Sequence, residues 1–195
     1  MEHFVHAWIQ FFVLLTPFFA LSMFMLYTAD RDARQKKTLA LRVTLAVLIL
    51  SLVLFFLGDT IFRLAGITID SFRVGAGVLL FLSAVALVRG TEKPGAGDDD
   101  VAVVPLAIPI LLGPATIGAI LINGAESVDM GQRLVSISAL VAAVISTGIV
   151  LLSSDLIERA IKARGIAILS RLTGLLLSAM ASQMIFDGAR RLLGR

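Results

Sequence analysis

The sequence contains no cysteine, only two histidines, and a single tryptophan and tyrosine. Without cysteine there are no structural disulfides, no cysteine zinc sites and no thiol relay across a membrane. Charge is scarce as well: 16% of the 195 residues are Asp, Glu, Lys or Arg, where a soluble domain carries about a quarter. The charges that remain gather in short stretches between apolar runs, the pattern of a chain passing repeatedly between lipid and water. The runs contain no cluster of His, Asp or Glu, no nucleophile–base pair and no phosphate-binding loop. An enzyme is therefore not expected, nor a catalytic residue, a metal or a cofactor.

What is present is apolar. Hydrophobic residues make up 58% of the chain and its mean hydropathy is +0.96. The first run, Phe4 to Ala29, has 26 residues without a charge and follows Glu2 and His3. A secretory signal has a basic start and an apolar stretch of about 7–15 residues, so this run is expected to stay in the mature protein. Five more runs follow: Val43–Gly58, Val74–Val88, Val101–Ala125, Leu134–Ser154 and Leu172–Phe186. A helix needs about 20 residues to cross the hydrocarbon, and only helices and closed barrels satisfy their backbone there. The two 15-residue runs are short for this, so Arg73 and Arg171 are expected within or beside the embedded part of their helices.

Among the breaks, Asp30 to Arg42 is basic and Asp59 to Arg73 is mixed. Arg89 to Asp100 is linker-like, with Pro94, Gly95 and Gly97, and its aspartates suit the start of a helix at Val101. The first, third and fifth loops hold 11 Lys and Arg, against 6 in the other two loops and the C-terminal tail. This bias puts the odd-numbered loops in the cytoplasm and both termini outside. The pI of 9.8 belongs to those loops and their lipid headgroups, and no nucleic-acid partner is expected.

The two halves of the chain share a pattern. Each runs long, medium, then 15 residues, and each long run has proline as its fourteenth residue, Pro17 and Pro114. Gly58-Asp59-Thr60-Ile61-Phe62-Arg63 aligns with Ser154-Asp155-Leu156-Ile157-Glu158-Arg159, and Gly77-Val78-Leu79-Leu80 with Gly174-Leu175-Leu176-Leu177, at offsets of 96 or 97. Three helices is an odd number, so the second half enters from the opposite side. The expected fold is thus an all-α membrane protein: six transmembrane helices as an inverted three-plus-three repeat with broken first and fourth helices. It forms a single transmembrane domain over 1–195, with half one at 1–90, a linker at 91–100 and half two at 101–195.

A proline in mid-helix removes a hydrogen bond and clashes with the turn before it. Pro109, Gly113 and Pro114 lie within six residues of one another. Backbone groups freed at membrane depth are tolerated only inside protein or beside a wet cavity. The N-terminus of a half-helix offers N–H donors and a positive dipole end to a carboxylate. The candidate substrate-binding residues are accordingly Thr16, Pro17 and Phe18 at one break and Gly113, Pro114, Ala115 and Thr116 at the other. A plain proline kink is the competing reading. Arg73 and Arg171 either snorkel to the interface or pair with buried groups or substrate. His6 reads as interfacial, Asp59 and Asp155 as helix-end residues, and Thr173 and Gln183 as interior or backbone-bonded. Gly174, Ser178 and Ser182 make a small-residue stripe for close packing.

At Gly66–Gly77, Val104–Ile117 and Ser170–Gly174 the chain resembles the MarC family of bacterial and archaeal membrane proteins, also described as neutral amino acid (SnatA-like) transporters. The stretch Val104-Pro105-Leu106-Ala107-Ile108-Pro109-Ile110-Leu111-Leu112-Gly113-Pro114-Ala115-Thr116-Ile117 is the most specific. The resemblance implies six spans and broken first and fourth helices around a small amino acid. Many relatives place an acid before the first proline and Gly-Asn shortly after it, where this chain has Thr16, Phe19 and Ala20. The expected function is therefore a secondary transporter or exporter of a small neutral solute, chiefly a small neutral amino acid. A coupling cation and the lipid bilayer complete the expected partners. The expected location is the inner (plasma) membrane as a multi-pass protein, and a non-transporting scaffold or regulatory partner is the alternative.

The charge bias makes a topological prediction. A reporter fused after Arg195 should be active outside the cytoplasm and one inserted beside Arg34 inside it; a cytoplasmic C-terminus would overturn the assignment.

Overall fold

The computed structural model describes residues 2–90, 111–127 and 129–194. The linker at 91–100, with its expected aspartate caps, and the first part of the fourth apolar run, 101–110, lie outside the described residues. Every regular element among the described residues is a helix. They are α1 (Glu2–Leu14), α2 (Pro17–Tyr27), α3 (Ala33–Ala65), α4 (Ile69–Arg89), α5 (Pro114–Glu126), α6 (Met130–Leu152) and α7 (Ser154–Leu193). Among the described residues five spans are long and apolar enough to cross a membrane: Glu2–Tyr27 (α1 with α2), Ala33–Gly58, Ile69–Arg89, Met130–Leu152 and Arg164–Leu193. Their outward faces carry Leu45, Ile49 and Val53 on α3, Leu79 and Leu82 on α4, and Leu172 and Leu175 on α7, all exposed. In water such a surface would be costly; against lipid tails it is the expected one.

Polar residues mark where the helices begin and end. Asp32 closes a capping box with Gln35 at the start of α3, and Thr68 and Asp129 accept N–H bonds at the starts of α4 and α6. Gly66 and Gly90, at φ 64° and 69°, end α3 and α4 in the left-handed turn that glycine adopts without strain. The sequence reading placed loops at Asp59–Arg73 and Asp155–Arg171, but helix continues through much of both. α3 runs on to Ala65, and α7 starts at Ser154 and changes direction at Lys162, φ 56° and ψ 169°. These extensions mix apolar and charged residues, as in Ile157-Glu158-Arg159, and suit the membrane–water boundary. Asp155 sits in the first turn of α7, as expected of a helix-end residue, and bonds Lys36 of α3 at 2.9 Å.

Small residues bring the helices together. A methyl group on Gly124 of α5 would overlap the Phe55 carbonyl of α3, and one on Gly58 would overlap the Leu121 carbonyl. Between α4 and α7 the contacts are reciprocal. A Cβ at Gly77 would lie 2.7 Å from Ile185 Cγ1 and 3.1 Å from the Ala181 oxygen. A Cβ at Gly174 would lie 2.9 Å from Val88 Cγ2 and 3.1 Å from the Ala84 oxygen. Adding 97 to Gly77, Ala84 and Val88 gives Gly174, Ala181 and Ile185, so each contact is the image of the other. Of the expected stripe, Gly174 makes this contact, while Ser178 and Ser182 turn their hydroxyls to the Leu175 and Ser178 carbonyls of their own helix.

The close approach has a measurable consequence. Gly77→Ala and Gly174→Ala should each lower stability by about 1–3 kcal/mol, since the added methyl meets backbone that cannot give way. Gly75→Ala, with open space around its Cβ position, should be neutral or slightly stabilising. Thermal unfolding of the three variants in one detergent would show the contrast, and equal tolerance would remove the packing role.

Candidate functional site

The interruption between α1 and α2 follows from Pro17. Its nitrogen has no hydrogen to give to the Val13 carbonyl, so Thr16 N–H bonds that oxygen instead, at 3.0 Å. Thr16 then takes the left-handed conformation, φ 45° and ψ 55°, and Pro17 becomes the first residue of α2. Thr16 N–H no longer points back to Phe12, and the Leu14 carbonyl loses the partner a continuous helix would supply. Thr116 provides one: its hydroxyl donates to Leu14 O at 3.0 Å, and the side chain is buried. Thr116 lies in the first turn of α5, which begins at Pro114 after Gly113 in an extended conformation, φ −65° and ψ 165°.

This arrangement brings the two candidate segments into contact. Pro17 is buried, Thr16, Phe18 and Gly113 are half-buried, and Pro114 and Ala115 complete the first turn of α5. The Phe18 carbonyl accepts from the Ser22 hydroxyl at 3.1 Å. The hydroxyl of Thr116 is thus one side of a direct bond between segments 102 positions apart.

Val13 and Phe19, on either side of the first interruption, and Ala119, three residues after Thr116, line two of the described cavities. The larger, about 540 Å³, is lined by α1, α5 and α7 with Arg73 of α4, and reaches Val13 and Ala119, each three residues from Thr16 or Thr116. The smaller, about 230 Å³, is lined by Phe19, Ser22 and Met23 of α2, Leu87 and Gly90 at the end of α4, and Ala167, Ser170 and Arg171 of α7. The first takes the N-terminal half of the α1–α2 span and the start of α4; the second takes the other half and the end of α4. They therefore sit at opposite ends of the bundle with the interruptions between them.

Charge concentrates in the larger cavity. Arg73, almost buried, pairs with Glu126 at the end of α5. Arg191 of α7 bonds the same carboxylate at 2.9 Å and stands 4.0 Å from Asp70. His6, Gln10, Asn123, Gln183 and Asp187 add polar groups to the wall. Of the two expected readings, Arg73 follows the paired one, and exposed Arg171, with its guanidinium 3.6 Å from the Cβ position of Gly90, the cap of α4, suits the snorkelling one. Thr173 is buried and bonds the Leu169 carbonyl. Gln10, Asn123 and Glu126 were missed as site residues. Glu126 directly follows the apolar run Val101–Ala125, and its cation partner on another helix leaves no mark in the sequence. No group of His, Cys, Asp or Glu among the described residues is arranged to hold a metal.

The Thr116–Leu14 bond should be visible in stability. Thr116→Val keeps the shape but leaves a buried carbonyl unpaired, an expected loss of about 1–3 kcal/mol, while Thr116→Ser should retain most of it. Thermal unfolding of both variants checks this, and a Val variant as stable as the parent would show the bond to be dispensable.

Comparison with known proteins agrees with this reading of the chain as a membrane helical bundle. Residues 1–193 match the model of the MarC family integral membrane protein. A UPF0056 membrane protein of Methanocaldococcus jannaschii is 31% identical, covering 97% of each chain. One from Aquifex aeolicus is 28% identical over 97% of this chain and 94% of its own. The UPF0056 inner membrane protein YhgN of Escherichia coli is 27% identical over 97% and 98%. No solved structure matches. With five membrane-length spans and a match along almost its whole length, the chain belongs to the MarC family of integral membrane proteins.

Proposed function

We propose that this protein is a secondary transporter or exporter of a small neutral solute, with small neutral amino acids as the solute class, working by alternating access at the helix interruptions. The observation that carries the proposal is the contact of the two interruptions between cavities at opposite ends of the bundle. A route across the membrane needs a central element reachable from either side in turn, and that is where the interruptions lie. The six-span inverted repeat belongs to the same proposal. Its support is the reciprocal packing of Gly77 and Gly174. In this reading the apolar run Val101–Ala125 supplies the fourth span.

The chemistry at the interruptions suits a solute carboxylate. The first turns of α2 and α5 leave N–H groups without helical acceptors, and the dipole there is positive. Thr16 and Thr116 add hydroxyls, while Phe18 and Phe19 make the α2 side less polar than the family pattern. A neutral solute crosses such a site without carrying net charge through the hydrocarbon, and a coupling cation would supply the driving force.

Counterflow in proteoliposomes tests the proposal. Vesicles loaded with an unlabelled neutral amino acid should accumulate the labelled one faster than protein-free vesicles, saturably. Replacing both Pro17 and Pro114 by alanine should slow counterflow by about tenfold or more, equivalent to about 1.4 kcal/mol on the barrier. No counterflow across a panel of neutral solutes, from protein shown to be folded, would leave the scaffold reading in its place.

A further inference from the structure

We propose that the Arg73–Glu126 pair in the larger cavity is a recognition site for a zwitterion, with Arg73 holding the solute carboxylate and Glu126 its ammonium. The inference rests on the transport reading but names a site outside the helix interruptions. Four observations carry it.

Arg73 is the first. Its side chain is only 8% exposed, yet it lines a cavity of about 540 Å³. Removing a guanidinium from water is costly unless carboxylate oxygens take its donors. Five N–H groups in a rigid plane can serve more than one carboxylate, and two parallel bonds are the strongest arrangement. Glu126 engages part of that plane, and the cavity gives a second carboxylate access to the rest.

Glu126 is the second. It is held by two arginines, Arg73 and Arg191, so one carboxylate stands against two cations. Asp70 stands within 4.0 Å of Arg191 and offers it another partner. Arg191 can therefore turn toward Asp70 when an ammonium takes its place on Glu126, and neither ion is left alone.

Charge balance is the third. Among the described residues the cavity wall carries Arg73 and Arg191 against Glu126 and Asp187, and Asp70 stands 4.0 Å from Arg191. A free cation or anion entering would change the net charge beside apolar helices. A zwitterion adds none. The wall is the fourth: Ala119, Ile122, Met180 and Met184 form an apolar side facing the ion pair. It suits the uncharged side chain of a solute whose two charges lie at one end.

The competing role for the pair is a plain tie between α4, α5 and α7, and the test separates the two. Ala179→Cys places a thiol on the cavity wall of a chain with no cysteine of its own. Its rate of modification by a water-soluble thiol reagent, in folded protein in detergent, reads occupancy. Alanine is expected to slow labelling at a concentration at least about tenfold below that needed by alaninamide, which lacks the carboxylate, or N-acetylalanine, which lacks the ammonium. That discrimination equals about 1.4 kcal/mol. Glu126→Gln, at the solvent-facing end of α5, should weaken alanine and narrow its advantage over N-acetylalanine. Arg73→Gln should do the same relative to alaninamide, and Arg73→Lys should keep part of the preference. A structural tie would lower stability without moving these ratios. If alanine protects the parent and both neutral variants at the same concentration, the pair is only a tie, while the transport proposal stands. If neutral amino acids neither protect the parent nor show counterflow, it is the transport reading that fails. Should Arg73→Gln not fold, Glu126→Gln alone decides, because unchanged discrimination there is enough to overturn the assignment.

Discussion

A backbone carbonyl inside a membrane has no water to bond, and everything about the centre of this bundle follows from supplying one with a partner. Pro17 cannot close the helical bond to Val13, the chain turns left-handed at Thr16, and the Leu14 carbonyl is left open. Thr116 closes it from the other half of the protein. The bond fixes more than a local defect. It holds the end of α1 against the first turn of α5, and α5 packs on α3 through Gly124 and Gly58. A polar requirement of one peptide unit thereby sets the relative position of segments distant in sequence.

The same economy governs the outer helices. α4 and α7 meet where a side chain would not fit, at Gly77 and Gly174, and each glycine faces the residues that are the images of those facing the other. Lipid gives no hydrophobic reward for bringing helices together, so close backbone approach and dispersion must supply the attraction. One pattern of small residues used twice, with the halves facing each other, provides a self-complementary contact. This reciprocity supports the inverted-repeat reading more directly than the matching apolar runs, which any membrane protein displays.

Much of this was legible in the sequence because lipid simplifies the code. Uncharged stretches of 15–26 residues marked the spans, and two prolines at equal depth marked the interruptions. Boundaries were less legible. The extensions of α3 to Ala65 and of α7 from Ser154 contain charges that read as loop. A helix lying at the membrane–water boundary keeps both kinds of residue on different faces, and composition alone does not reveal the faces. The ion pairs were hidden for another reason. Arg73 and Glu126 are 53 positions apart, on helices that meet only in three dimensions, and the sequence signals each charge but not its partner. The interruption at Thr16–Pro17 coincides with the first of the two prolines, while the neighbouring cavity wall, with Gln10 and Asn123, gave no signal of its own.

The two halves are not equal at the centre, and the inequality lies in one side chain. Subtracting 97 from Thr116 gives position 19, occupied by Phe19. Phenylalanine has no donor, so α2 cannot return to the second interruption the hydroxyl bond that α5 gives to the first. The tie therefore runs in one direction, from Thr116 to Leu14. Phe19 instead lines the smaller cavity, with Met23 and Leu87, where it contributes apolar bulk. The larger cavity has Ala119 at the position equivalent to Ser22, and beyond it Asn123 and Glu126 beside apolar Ile122.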